Sequence, residues 1–393
     1  MKQPAGLTNT TPSHKLAGLD HLRALAIILV MLFHYRLFGH PDWIVSAGVF
    51  GWTGVDLFFV LSGYLIASQL FEKMVKGRPI SMSEFYIKRT FRIIPAYAAT
   101  LLLYFLIPNF KEIAGLSPLW KFITFTQNFG LDQRYYRAFS HAWSLCVEEQ
   151  FYLVLPLLIA GMHVFKAGNK AFLIVPILFI AGFAVRIFIF QHYLAPIPAG
   201  TPEFNIGWTS YIYYPTYSRL DGLLAGVTIA ALTVFRPVFS KRIMQHGNWL
   251  LAAGLALSVA AYFVCIARQS FTGSVFGFPM VSIAYAVLVL AAISPTCILY
   301  KIRSWVTTGI ATLSYSIYLM HKGIFHLVQQ GFGKLGIDPN SNLMIPLCIA
   351  FAILGAVIMR YAVEKPFLQL REKVLEKRAA KKVVREAELV TEY

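Results

Sequence analysis

Runs of about twenty apolar residues recur along the chain, and nothing constrains its fold more. A helix needs roughly 20 apolar residues to cross the hydrocarbon core of a bilayer, where no water satisfies its backbone. Ten such runs fall near 17–38, 49–71, 92–108, 141–162, 171–191, 212–235, 248–267, 276–299, 304–328 and 342–363. Of the 393 residues 57% are hydrophobic and 13% charged, and the mean hydropathy is +0.61, a balance that excludes a soluble domain. The expected fold is all-α, a polytopic membrane helical bundle of about ten transmembrane helices. A cytoplasmic N-terminal tail (1–15) would precede one membrane domain (16–366) and a basic cytoplasmic helix or tail (367–393). No internal repeat, Gly/Ser linker or second domain is visible in the sequence.

The net charge of +17 is unevenly spread. The connection after the second run holds Lys73, Lys76, Arg78, Lys88, Arg89 and Arg92. The next even-numbered connections hold Lys166 and Lys170, then Arg236, Lys241 and Arg242, then Lys301 and Arg303, and a basic tail runs from Lys365 to Arg385. Residues 39–48 and 192–211 have no Lys or Arg, and 268–275 have only Arg268. The loop 109–140 is the exception, with Lys111, Lys121, Arg134 and Arg137. Such alternation places both termini in the cytoplasm and gives nucleic acid a low prior as partner. Residues 366–388 read as a charged helix with a narrow Leu/Val stripe, suited either to an anionic leaflet of membrane lipids or to water. Cys146, Cys265, Cys297 and Cys348 each sit in an apolar run without CxxC spacing, so neither disulfides nor a metal are expected. Residues 1–15 are polar and no small-residue cleavage site follows the first run, so no cleavable signal is expected.

Ionisable residues inside such runs are costly and mark candidate sites. The first run, LDHLRALAIILVMLFH, contains Asp20, His21, Arg23 and His34. Eleven steps of about 100° bring Arg23 and His34 to nearly the same face, roughly 16 Å apart along the axis. Both are expected on one wall of a shared cavity, Arg23 at its mouth and His34 near mid-membrane. Helix anchoring by Arg23 and a helix–helix bond by His34 would serve equally well. In GVDLFFVLSGYL, Asp56 is expected to pair with a cation, with Ser62 and Tyr64 two turns on. Arg89 and Arg92 share a helical face at the cytoplasmic surface and suit phosphates, although ordinary positive-inside anchoring has the same signature. His141, Trp143, Glu148, Glu149 and Gln150 open the fourth run. Adjacent carboxylates lie about 100° apart, so Glu148 is expected in the cavity with Glu149 paired elsewhere. A Glu beside a His would hold the imidazole in one tautomer. Arg219 and Asp221 face different ways, each needing a partner on another helix, and Tyr318 and His321 share a face. Structural cross-linking is the plainer reading of these last two pairs. Glu364, Lys365 and Pro366 read as a helix terminator.

Arg23-x10-His34, GVDLFFVLSGYL at 54–65, Arg89-x-x-Arg92, HAWSLCVEEQFYL at 141–153, SRLDGLLAG at 218–226 and LSYSIYLMH at 313–321 occur in that order. Together they resemble the acyltransferase-3 family of integral membrane acyltransferases, over nearly the whole chain. The resemblance implies a multi-pass protein of the bacterial inner (cytoplasmic) membrane. It would move an acyl group, most simply acetyl, from acyl-CoA to a hydroxyl of a carbohydrate or glycolipid acceptor such as lipopolysaccharide O-antigen or exopolysaccharide. It implies His34 as the essential histidine, Arg23 as its basic partner, Arg89 and Arg92 as the acyl-CoA (acetyl-CoA) site, and Glu148 in the acidic motif of the fourth helix. The chemistry fits: a hydroxyl attacking a thioester needs a base, for which His34 is the candidate, with Glu148 or another acid orienting it. A fused SGNH-type domain, common in longer members, is not expected here. His21 stands where many members have Gly, and Lys322 where an aromatic residue is common. Rival readings are a transporter or a protein that binds lipid-linked sugar without chemistry.

Overall fold

The computed structural model describes the backbone of residues 17–164 and 173–391, and side chains outside 162–172 and 382–393. The expected tail 1–15, Lys166, Lys170 and the side chain of Arg385 lie outside the described residues. Eleven long helices follow one another: α1 (Ala17–Tyr35), α2 (Gly54–Val75), α3 (Met82–Leu106), α4 (Trp143–Val164), α5 (Ile174–Ile189), α6 (Asp221–Phe235), α7 (Gly247–Val264), α8 (Phe278–Ala292), α9 (Trp305–Lys334), α10 (Met344–Met359) and α11 (Lys365–Thr391).

Among the described residues seven helices are long and apolar enough to cross a membrane, or eight when α6 is joined to the short helix Pro237–Met244, bent from it by 109°. The ten runs read from the sequence each fall on one of the helices α1–α10. Helices α3 and α9 have the length, at 25 and 30 residues, but not the apolarity. They are the two that carry Arg89, Arg92, His321 and Lys322. Polarity that lowers a helix's hydropathy is affordable inside a bundle when the polar face turns to a cavity or to partners rather than to lipid.

Small residues set the central packing. Gly63 of α2 lies against the Leu223 backbone of α6, and Gly226 of α6 lies against Val60 and Tyr64 of α2, so that a Cβ at either glycine would overlap the neighbouring backbone. Close approach of this kind replaces the hydrophobic driving force that lipid does not provide between helices. Helix α1 runs beside α2 and α9, with Gly54 seated on the Ala26 carbonyl.

One end of the bundle gathers the start of α1, the α2–α3 turn, the α8–α9 connection and the α10–α11 junction. His21 Nε2 donates to the Ile302 carbonyl (3.0 Å), Lys73 meets Glu84 (3.7 Å) and Arg92 meets Glu364 (3.2 Å) there. These are the Lys/Arg-rich connections. The opposite end is capped by the loop 107–142. Three of its four basic residues are held within the loop itself, but only Arg134 meets an acid, so the loop remains an exception to the charge pattern. Lys121 donates to the Phe129 carbonyl, Arg137 to the Gln133 carbonyl, and Arg134 pairs with Asp132 at 2.6 Å. The Arg134 guanidinium holds the Asp132 carboxyl below the usual carboxylate range.

The expected terminator at 364–366 is replaced by continuous helix. A single wide turn, Arg360–Glu364, links α10 to α11, and Pro366 takes the second position of α11. The wide turn immediately before it leaves room for the proline ring and its missing N–H, so the chain runs on. The charged helix read from 366–388 is α11; its Arg378 donates to Ser83 at the start of α3.

Candidate functional site

Two cavities meet inside the bundle. The first, about 170 Å³, is lined by Arg23 of α1, Ser62 of α2, Arg89 and Arg92 of α3, Glu148, Glu149 and Tyr152 of α4, and Tyr315 of α9. The second, about 190 Å³, is lined by His34 with Phe33, Gln133, His141, Arg268 and Lys322, and by a wall of Trp52, Trp143, Trp208, Tyr213 and Tyr214. Val55 and Tyr318 line both and stand between them. Each is below the roughly 300–1,000 Å³ of a typical ligand pocket, so neither alone holds two substrates.

Arg23 and His34 therefore do not share one cavity. Their side chains project from one face of α1, as the helical count requires, but Val55 and Tyr318 divide the space between them. The arginine cavity also receives both carboxylates, although only one was expected. Neighbouring side chains 100° apart can border the same space when it spreads across the helix face. Glu148 accepts from Ser62 Oγ (3.2 Å) and Tyr152 Oη (3.1 Å). It is not the residue that orients His34.

That residue is His321. Its Nε2 lies 2.8 Å from His34 Nδ1, and its own Nδ1 faces the carbonyls of Ile317 (3.0 Å) and Tyr318 (2.8 Å). A carbonyl only accepts, so Nδ1 of His321 carries the proton. Its Nε2 in the neutral ring is then an acceptor, and His34 Nδ1 must donate to it. The lone pair of His34 is thereby assigned to Nε2, for which the described residues offer no partner. His141 completes a cluster, its ring centroid 5.6 Å from that of His34 and 5.1 Å from that of His321. Its Nε2 donates to the Leu319 carbonyl (3.4 Å). No group of three or more His, Cys, Asp or Glu among the described residues is arranged to hold a metal ion.

The divider is built with equal definition. Tyr318 Oη donates to the His141 carbonyl and accepts from Ser144 Oγ, both at 2.6 Å. The approach to His141 is set by Phe139, a non-glycine residue at φ +53°. Such a conformation costs about 1–3 kcal/mol and persists only when surroundings fix it. Phe139 is fully buried, stacked on Tyr104 (4.5 Å) and Phe122 (5.7 Å) and edge-on to His141 (5.1 Å).

Buried ion pairs hold the walls. Asp56 pairs with Arg219 at 2.8 Å, and Arg219 lies 5.0 Å from the Trp143 ring and 4.7 Å from that of Tyr213, which fixes the aromatic wall. Asp221 pairs with Arg186 of α5 at 2.6 Å. Arg219 and Asp221 thus find partners on two different helices, as their spacing requires. Lys322 meets Glu112 of the capping loop at 2.5 Å. Asp20 accepts from Thr308 (3.2 Å) and lies 3.8 Å from Arg23. Tyr64 borders neither of these two cavities; its backbone lies in the α2–α6 crossing against Gly226. Arg92 is shared with Glu364, which also takes Arg360 (2.7 Å). Arg89 has no acid partner among the described residues and lies over the rings of Phe85 and Tyr152.

Sequence reasoning missed Arg186, Glu112, the aromatic wall apart from Trp143, and Arg268 as a cavity residue. Arg186 carried a usable signal, as a charge inside the fifth run. Glu112 and the wall did not, because loop residues and aromatic residues acquire a role only from the fold.

The sequence profile of an acyltransferase domain, that of the acyltransferase-3 family, matches residues 16–361. The chain is 30% identical over 332 residues to O-acetyltransferase OatA of Staphylococcus aureus, covering 80% of this chain and 51% of that protein. It is 26% identical over 336 residues to the putative peptidoglycan O-acetyltransferase YrhL of Bacillus subtilis, covering 79% and 49%. A putative O-acetyltransferase of Staphylococcus aureus, SACOL0978, is 26% identical over 388 residues, covering 93% and 59%. The chain spans about half the length of the first two of these relatives. No solved structure matches it. With a profile that runs through both cavities and almost every helix, the chain belongs to the acyltransferase-3 family.

Proposed function

We propose that this protein is a membrane O-acetyltransferase that transfers an acetyl group from acetyl-CoA, through the divider between its two cavities, to a hydroxyl of a carbohydrate acceptor. The observation that carries the reading is the junction itself. An arginine-lined cavity opens at the end with the basic connections, and a histidine with an assigned free lone pair stands on the other side of Val55 and Tyr318. On the charge pattern the arginine cavity faces the cytoplasm of a bacterial inner membrane, where acyl-CoA is found. The O-acetyltransferase names of the relatives support acetyl as the group and a glycan as the acceptor.

Arg89, Arg92 and Arg23 would receive the phosphates of coenzyme A at the mouth, leaving the thioester to reach toward Tyr318. Arg89 is the most available, having no acid to displace. The acceptor would lie along the aromatic wall, where the flat C–H faces of a sugar pack on Trp and Tyr rings. Its hydroxyl attacks the thioester carbonyl while His34 Nε2 removes the proton. His321 holds His34 in the required tautomer. The thiolate of coenzyme A leaves and takes that proton back from the His34 imidazolium. Glu148, tied to Ser62 and Tyr152, would shape the donor side rather than orient the base.

The test is acceptor-stimulated release of coenzyme A from acetyl-CoA by purified protein in nanodiscs. The reading requires release in the wild type and its loss in His34→Ala, with insertion and melting temperature retained. Binding of donor or glycan without release would favour a transporter or a sugar-binding protein.

A further inference from the structure

Apart from the capping loop 107–142, the end of the bundle that holds the histidine cavity has few cations in its connections. Its connections 39–48 and 192–211 contain no Lys or Arg, and 268–275 contain only Arg268. Two guanidinium groups nevertheless converge there on one ring. Arg36, one residue past α1, has its Cζ 5.8 Å from the centroid of Phe33, and Arg268 lies 5.5 Å from the same centroid. Arg268 is also 5.6 Å from the Trp208 ring. Phe33, Trp208 and Arg268 line the cavity, and Phe33 adjoins His34 in sequence and in space, with ring centroids 5.5 Å apart.

Elsewhere in the fold most half-buried and buried arginines meet carboxylates, Arg89 being the exception. Arg186 has Asp221, Arg219 has Asp56, and Arg92 and Arg360 share Glu364. Arg36 and Arg268 have no ion pair and no side-chain hydrogen bond among the described residues, and the Nε of Arg36 is buried without a partner. Burial, and then the Arg268 charge, pull the Arg36 guanidinium below its ordinary value. The arrangement is built rather than loose: the Arg36 stem runs along Gly48, where a Cβ would come within 2.7 Å of its Cδ. Two like charges are held against the same aromatic ring, with no acid paired to either among the described residues. An oxyanion with two acceptor oxygens relieves that repulsion, and guanidinium groups suit carboxylate and phosphate geometry alike.

We propose that Arg36 and Arg268 form a subsite for an anionic group, a carboxylate or a phosphate, on the carbohydrate acceptor. The acceptor is then an acidic glycan, with its charged group anchored beside Phe33 and its target hydroxyl presented to His34. This rests on the reading of the histidine cavity as the acceptor side of an acyltransferase.

The experiment measures coenzyme A release from acetyl-CoA by protein in nanodiscs. The acceptor is a cell-envelope glycan fraction used native, after carbodiimide–borohydride reduction of carboxylates, and after hydrogen fluoride dephosphorylation. Wild type is compared with Arg268→Gln and with Arg36→Gln/Arg268→Gln. The expected result is a rise in acceptor KM of about tenfold per arginine on the native fraction, as for loss of a charge-assisted hydrogen bond. The KM for acetyl-CoA and the melting temperature stay unchanged. The treatment that removes the relevant anion brings wild type to the level of the double variant, and which treatment does so identifies carboxylate or phosphate. Equal acceptor KM in wild type and both variants overturns the subsite alone, as does a wild type indifferent to both treatments. If the double variant does not fold, Arg268→Gln decides, since the Arg268 guanidinium lies over ring faces and makes no ion pair among the described residues. No glycan-stimulated release by wild type overturns the acyltransferase reading, and the subsite falls with it.

Discussion

Replacing His321 by Leu isolates the element on which the chemistry of His34 depends. His321 is fully buried, and the 2.8 Å bond from His34 Nδ1 to its Nε2 is the only side-chain hydrogen bond His34 makes among the described residues. Leucine fills similar volume and cannot accept. The Nδ1–H of His34 is then left in a buried setting without a partner, at a cost of about 1–3 kcal/mol. The other tautomer, with its proton on the cavity nitrogen, escapes that cost but is no longer a base. Since about 1.4 kcal/mol is tenfold in rate, kcat should fall roughly 10- to 100-fold. His321→Gln, whose amide oxygen can accept, should retain more activity than His321→Leu. The assay is coenzyme A release at saturating acetyl-CoA and acceptor, with KM for acetyl-CoA determined alongside. A role in orienting the base predicts loss in kcat at constant KM and partial rescue by Gln. Full activity in His321→Leu, or a change confined to KM, would refute the tautomer argument.

Three further outcomes are expected. Arg89→Ala should raise the KM for acetyl-CoA about tenfold with little change in melting temperature, because Arg89 has no acid partner to leave uncompensated; isothermal titration with coenzyme A checks the same loss in binding. Arg186→Ala should destabilise the fold by about 3–5 kcal/mol, since it strands Asp221 in a site where both side chains are nearly inaccessible, and adding Asp221→Ala should recover part of the loss in a thermal melt. Gly226→Val should lower the melting temperature more than Gly182→Val, because a Cβ at 226 overlaps the α2 backbone while one at 182 meets its nearest neighbour only at 3.6 Å.

The sequence carried the helices well, because a bilayer leaves so few alternatives to an apolar run of twenty residues. Each run found a helix, and the partners required by Arg219 and Asp221 exist on separate helices. What the sequence could not carry was the division of space. Helical periodicity puts Arg23 and His34 on one face of α1, but whether they share a cavity depends on Val55 and Tyr318, contributed by α2 and α9. The sequence also offered Glu148, or another acid, as the group that orients His34. The actual companion, His321, lies 287 residues away, and only the packing of α1 against α9 brings the two rings together. Pro366 misled for a local reason: proline ends a regular helix from the inside but is tolerated behind a wide turn, and the sequence does not show that turn.

The most direct test of the account is the acetyl-CoA reaction itself, with wild-type protein and His34→Ala in nanodiscs beside a glycan fraction and a thiol reagent that reports free coenzyme A. The account predicts glycan-stimulated release by wild type and none above background in the variant, with both proteins melting alike. A well-folded His34→Ala protein that retains most of the wild-type release would contradict it.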